Sequence, residues 1–187
     1  MIETERLLLR QWQERDLEPF AELNASPEVM RYFPAPLSRE ESDNLANRFK
    51  EIIDTNKGWG FWAVELKATG AFVGTVGLLH QADRFDFSPC TEIGWRLAKP
   101  FWHQGIALEA ASRALDFAFN QLLLDEVVSF TSVHNTPSES LMKRLGMVKQ
   151  ERFMHPALAT SHYLAEHVLY KTTKVSWAQK TKNHSID

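Results

Sequence analysis

The segment that most constrains this chain is Trp102-His103-Gln104-Gly105-Ile106-Ala107-Leu108-Glu109-Ala110. It stands where a strand pattern, Thr91 to Leu97, gives way to a long helix pattern, about Gln104 to Leu123. A small-residue loop that opens a helix presents several backbone N–H groups at the positive end of the helix dipole. Such a place suits an anion, and phosphate above all. Gly105 lets the backbone approach a ligand, and Ala107 keeps the next position small. No Gly-Lys-Ser/Thr follows, so this is not a P-loop, and G-x-G-x-x-G is absent.

A second segment lies downstream of a predicted strand, Glu126 to Val133. It reads Asn135-Thr136-Pro137-Ser138-Glu139-Ser140-Leu141-Met142-Lys143-Arg144-Leu145-Gly146-Met147. Asn135 is a helix N-cap, Pro137 fits the first turn, and Gly146 ends the helix. Taken together the two segments resemble the Gcn5-related N-acetyltransferase (GNAT) superfamily. The first matches its pyrophosphate loop, Arg/Gln-x-x-Gly-x-Gly/Ala, and the second its Asn-x-x-Ser/Ala…Leu-Gly-Phe helix. Thr4-Glu5-Arg6-Leu7-Leu8-Leu9-Arg10 and Ser26-Pro27-Glu28-Val29-Met30 resemble the branch of RimJ/RimL-type ribosomal-protein N-terminal acetyltransferases. The resemblance runs from about Glu3 to Tyr170.

The rest of the chain agrees with one compact α/β (α+β) domain over 1–171, followed by a polar C-terminal tail, 172–187, expected to fray. Strands are expected at Arg6 to Trp12, Trp59 to Leu66, Ala71 to Leu79, Val148 to Phe153 and Ser161 to Tyr170. Helices are expected at Glu14 to Leu23 and Arg39 to Ile53, the latter capped by Ser38. The resemblance implies a three-layer fold with a mixed, splayed central sheet of about seven strands. Hydrophobic residues make up 44% and charged residues 24%, as in ordinary globular chains. A net charge of −3 speaks against a dedicated nucleic-acid or anionic-membrane binder. Cys90 is the single cysteine, which excludes an internal disulfide and a zinc–cysteine cluster. No histidine pair has zinc-helix spacing, so no metal is expected. The opening residues lack a signal-peptide core, and no run reaches membrane-spanning length. A cytoplasmic protein is therefore expected, as a monomer or homodimer.

The resemblance implies acetyl-CoA held in the splay between the fourth and fifth strands. Backbone near Leu97 would pair with the pantetheine arm. The N–H groups of His103, Gln104, Gly105, Ile106 and Ala107 would hold the pyrophosphate, and Asn135 would meet the pantetheine or thioester region. The usual Arg or Gln of the loop is Trp102 here, and the usual Gly after it is His103, which either adds a phosphate donor or stands in solvent. Acetyl transfer to an amine needs a base for the amine proton and donors for the oxyanion and leaving thiolate. Glu92 is the candidate base, with a salt-bridged strand-end carboxylate as the plainer reading. His134 is the reserve. The position where many relatives carry a tyrosine acid is Met142, which cannot donate. Ser138 is the candidate replacement, or else a first-turn hydroxyl bonding to backbone. Glu109 is explained by the helix dipole.

Trp59, Phe61, Trp62, Tyr32 and Phe33 would give an apolar wall for the acceptor, and His155, His162 and His167 fall on the closing hairpin. Acceptor choice is expected to lie in Arg31 to Leu37 and His80 to Thr91. The expected activity is acetyl-CoA-dependent N-acetylation of a primary amine. The amine is a protein N-terminus, or alternatively a small molecule such as a polyamine or aminoglycoside. A non-catalytic acetyl-CoA-binding module is the alternative from another class, kept open by Met142. A nucleotide-binding domain fits poorly without either phosphate fingerprint.

Overall fold

The structure, a computed structural model, describes residues 1–184. An eight-stranded mixed sheet has the order β1-β2-β3-β4-β5-β6-β8-β7. Its strands are β1 (Ile2–Glu3), β2 (Leu7–Arg10), β3 (Phe61–Leu66), β4 (Ala71–Gln81), β5 (Cys90–Leu97), β6 (Glu126–Ser132), β7 (Val148–Met154) and β8 (Glu166–Thr173). The helices are α1 (Leu17–Ala25), α2 (Arg39–Thr55), α3 (Ile106–Asn120), α4 (Thr136–Arg144) and α5 (Lys174–His184). This is the mixed α/β architecture that the element order implied, with one more strand than expected because β1 is only two residues long. The chain forms two compact units. One comprises Met1–Leu78 with Gly94–Ala114, and the other Leu79–Ile93 with residues from Leu115 onward.

In the first unit, β1 to β4 form an antiparallel meander. β3 and β4 are joined through Gly70, whose φ of +70° closes the turn. Leu7, Leu9, Ala63, Val64, Val73 and Val76 are fully buried. Trp12 packs on Phe20 with ring centroids 4.7 Å apart and donates its indole N–H to the Phe61 carbonyl at 2.8 Å. Phe49 on α2 stacks on Phe61 at 4.9 Å. α2 starts where Ser38 predicts, with a full capping box: Glu41 N–H donates to the Ser38 hydroxyl, and Ser38 N–H donates to the Glu41 carboxylate. A Cβ on Gly74 would lie 2.2 Å from the Arg96 carbonyl oxygen, so only glycine permits this approach of β4 to β5.

In the second unit, β8 lies between β6 and β7, antiparallel to both. β5 meets β6 in parallel at one register pair, Glu92 with Val128, and Ser129 Oγ donates to the Ile93 carbonyl at 2.9 Å. Gly146 ends α4 with φ +78°, the left-handed stop its position predicts. Phe85, Phe87, Phe130 and Phe153 form a satellite aromatic cluster, with Phe85 stacked on Phe87 at 4.9 Å.

Two readings of local structure are corrected. The segment expected to fray is helical as far as the structure describes it, from Lys174 to His184. Trp177 is buried and donates to Asp116 at 2.7 Å, which anchors the helix; residues 185–187 lie outside the described residues. β8 begins at Glu166 rather than Ser161, because backbone bonds such as His162 N–H to the Ala159 carbonyl fold the preceding residues into turns.

Candidate active site

The expected site residues fall in both units. In the first, the chain leaves β5 at Leu97, makes one 3-10 turn over Lys99–Phe101, and enters α3 at Ile106. His103 (φ +59°) and Gly105 (φ +76°) are both left-handed. Alternation of this kind turns successive N–H groups to one side and makes an anion-binding concavity. The first helical bond runs from Glu109 N–H to the Gly105 carbonyl. Among the described residues, the N–H groups of Gly105, Ile106, Ala107 and Leu108 have no backbone acceptor, as the start of a helix dictates. A helix start of this form suits an anion.

Trp102 has a role that its departure from Arg or Gln concealed. Its indole N–H donates to the Leu97 carbonyl at 2.9 Å, which ties the loop to the strand end. That carbonyl, expected to face the pantetheine, already holds a donor on one of its lone pairs. His103 is exposed. Because a left-handed histidine costs about 1–2 kcal/mol and glycine loses about 0.5–1 kcal/mol of chain entropy, His103→Gly is expected to stabilise the protein by up to about 1 kcal/mol. With donors supplied by the backbone, acetyl-CoA affinity should change less than about threefold in isothermal titration. A tenfold loss would assign the phosphate contact to the imidazole instead.

Arg6 was not among the expected site residues, yet it borders this loop. Its Nη1 donates to the Gln104 carbonyl at 3.0 Å, and its Nη2 lies 3.5 Å from where a Cβ of residue 105 would stand. Glu109 holds it there by accepting from Arg6 Nε at 2.6 Å and from Arg6 N–H at 3.0 Å, alongside the Thr4 hydroxyl. Burial pushes the Glu109 carboxyl up, but these bonds outweigh it and keep the group below its ordinary value. Glu109 is thus an anchor of the N-terminal segment. The Thr4-Glu5-Arg6 sequence carried the signal, but its partner lies over a hundred residues away.

In the second unit, Asn135 caps α4 as expected. Its Oδ1 accepts from Ser138 N–H at 3.3 Å and its Nδ2 donates to Thr131 Oγ1 at 2.9 Å. Asn135 and Ser138 are thereby brought together. Met142 is buried, as a core residue of α4. His134 is exposed, with its ring 6.4 Å from that of Tyr163. His155 and His167 sit in the aromatic cluster with ring centroids 4.8 Å apart, and burial pushes His155 down to about 4. Among the described residues, no group of three or more His, Cys, Asp or Glu could hold a metal ion.

Glu92 is the unusual group. Its carboxylate is largely buried on β5, and Oε2 is sealed from solvent without a hydrogen-bond partner. Burial raises it to about 7, against the opposing pull of a Gln81 hydrogen bond and the Arg84 charge. Among the described residues it forms no ion pair, so the salt-bridged reading fails. A buried carboxyl that titrates near neutrality, with one oxygen unclaimed, is equipped to accept and return a proton.

The aromatics of the expected wall differ in exposure and partners. Trp62 is core, with its indole N–H on the Gly58 carbonyl. Phe61 belongs to the α2 stack, while Phe33 is exposed and lies over Arg96 at 4.2 Å.

Residues 6–148 match the model of the Acetyltransferase (GNAT) domain. The chain is 29% identical over 145 residues to the uncharacterized protein YkkB of Bacillus subtilis, covering 77% of this chain and 83% of that one. A GNAT-family acetyltransferase from Bacillus anthracis superposes with a TM-score of 0.78 at 23% identity, covering 93% of this chain and 98% of that one. The spermidine N-acetyltransferase of Vibrio cholerae, solved with CoA and spermine, superposes with a TM-score of 0.72 at 21% identity, covering 94% and 99%. Among the described residues, no helix is long and apolar enough to cross a membrane.

Proposed function

The chain belongs to the GNAT acetyltransferase family, and from that premise we propose that it moves the acetyl group of acetyl-CoA directly to a primary amine, with Glu92 as general base. The observation that carries this reading is the buried, unpartnered Glu92 carboxylate oxygen with its affinity for protons raised to about 7. On this reading the loop from His103 to Ala107 holds the pyrophosphate through backbone N–H groups, backbone near Leu97 pairs with the pantetheine arm, and Asn135 meets the pantetheine or thioester region. The acceptor nitrogen attacks the thioester carbon while Glu92 takes its proton. The C–S bond then breaks, and the CoA thiolate leaves with a hydrogen bond or proton from the Ser138 hydroxyl, since Met142 has none to give. A protein N-terminus of the RimJ/RimL kind and a small amine are both chemically competent acceptors. The Vibrio cholerae relative, by its description, binds spermine.

Thiol release from acetyl-CoA is the test. The panel would hold peptides beginning with Ser, Ala, Thr or Met, polyamines, amino acids and aminoglycosides, with products identified by mass. Release with a product 42 Da heavier at one amine is the expected result, since acetylation replaces a hydrogen with an acetyl group. No release with any acceptor, while acetyl-CoA still raises the melting temperature, would overturn the catalytic reading in favour of a binding module.

A further inference from the structure

In the first unit a buried arginine, Arg10, and a half-buried one, Arg96, stand in opposite circumstances. Arg10 is bonded to two carboxylates, Asp16 and Glu65. Arg96, on β5, forms no ion pair among the described residues. Its Nη1 donates to Asn24 Oδ1 at 2.6 Å, and its Nε is sealed from solvent with no acceptor. Burial alone pulls the guanidinium down to about 10, with no anion opposing it, so it remains charged at neutral pH. An uncompensated buried charge is costly, and a fold tolerates one where a ligand supplies the missing partner.

The surroundings hold this guanidinium ready. Asn24 and Ser42 are both fully buried, and Asn24 Nδ2 donates to Ser42 Oγ at 2.9 Å. The Asn24 amide is therefore oriented with its oxygen toward Arg96. The exposed Phe33 ring covers the guanidinium face at 4.2 Å. Ring and amide leave the Nε edge as the unsatisfied side. That edge of an arginine, with two parallel N–H donors, matches the two oxygens of a carboxylate.

We propose that Arg96 is a specificity residue that binds a carboxylate on the acceptor, so that the preferred substrate is an amine that also carries an acid group. This rests on the acetyltransferase reading above, and the experiment separates the two. Matched pairs that differ only in carboxylate against carboxamide would be compared as acceptors, such as γ-aminobutyrate with its amide, and α-amino acids and dipeptides with theirs. Wild type should favour the carboxylate member by about ten- to a hundredfold in kcat/KM, the range of a charge-assisted bidentate bond. Arg96→Gln and Arg96→Met should remove that preference through KM and leave the carboxamides and acetyl-CoA affinity unchanged. The Arg96 Nε–H resonance should also shift on titration with γ-aminobutyrate and not with its amide.

Acetylation of both members of each pair at equal efficiency would overturn the carboxylate assignment and leave the acetyltransferase reading intact. If no amine is acetylated, that reading falls, and the Nε–H titration alone then decides whether Arg96 takes a carboxylate. Equal loss for both members in the variants would reduce Arg96 to support of the fold.

Discussion

Glu92→Gln is expected to lower kcat/KM by roughly a hundred- to ten-thousandfold while leaving acetyl-CoA affinity unchanged, because glutamine keeps the shape and loses the basic oxygen. In wild type, kcat/KM should rise with pH through an inflection near 7, where the carboxyl ionises. The variant should lack that inflection and keep only the titration of the acceptor amine. The same substitution should act oppositely on stability. The Glu92 proton affinity is raised on folding, from 4.5 to about 7, so the folded state holds a proton that the unfolded state releases between those values. The favourable contribution is complete below pH 4.5 and is lost as pH rises through 7. The ionised carboxylate thus costs roughly 3 kcal/mol at pH 8, at 1.36 kcal/mol per pH unit. Glu92→Gln should then be more stable than wild type at pH 8, by up to about that amount, and equal to it at pH 4. Denaturation at the two pH values measures this. A variant that keeps full turnover and shows no pH-dependent gain would remove Glu92 from the mechanism.

The loop and the caps were legible because their signals are local. Gly105 before a helix pattern, Ser38 before the Arg39 helix, and Asn135 before Pro137 each act within a few residues, and each occupies its expected place. What escaped the sequence depends on distance along the chain. Arg6 touches Gln104 and Glu109, and Arg96 meets Asn24 and Phe33, contacts that no periodicity encodes. Glu92 was chosen by resemblance and position, but its burial is a tertiary fact. α5 escaped for a different reason: it carries little apolar periodicity, and among its described side chains Trp177 alone is buried while Val175 is exposed.

Arg10→Met is the substitution expected to cost most stability, about 3–5 kcal/mol in urea denaturation, since it strands buried carboxylates. Arg10 Nη1 and Nη2 reach the two oxygens of Asp16 at 2.7 and 2.9 Å, and Nε reaches Glu65 at 2.7 Å. Asp16 is 1% exposed, and its Oδ2 also accepts from Gln13 N–H at 2.8 Å, so the pair fixes the turn that begins α1. Arg15 reaches Glu65 at 2.8 Å and compensates one carboxylate only. Arg10→Lys should recover a fraction, because a single ammonium cannot span both partners. A loss under about 1 kcal/mol for Arg10→Met would show that the network is dispensable. Arg96→Met should cost less, about 1–3 kcal/mol at most, because the loss of the Asn24 Oδ1 donor is offset by removal of a charge that no carboxylate balances. The two variants together distinguish an arginine held by the fold from one held in reserve for a ligand.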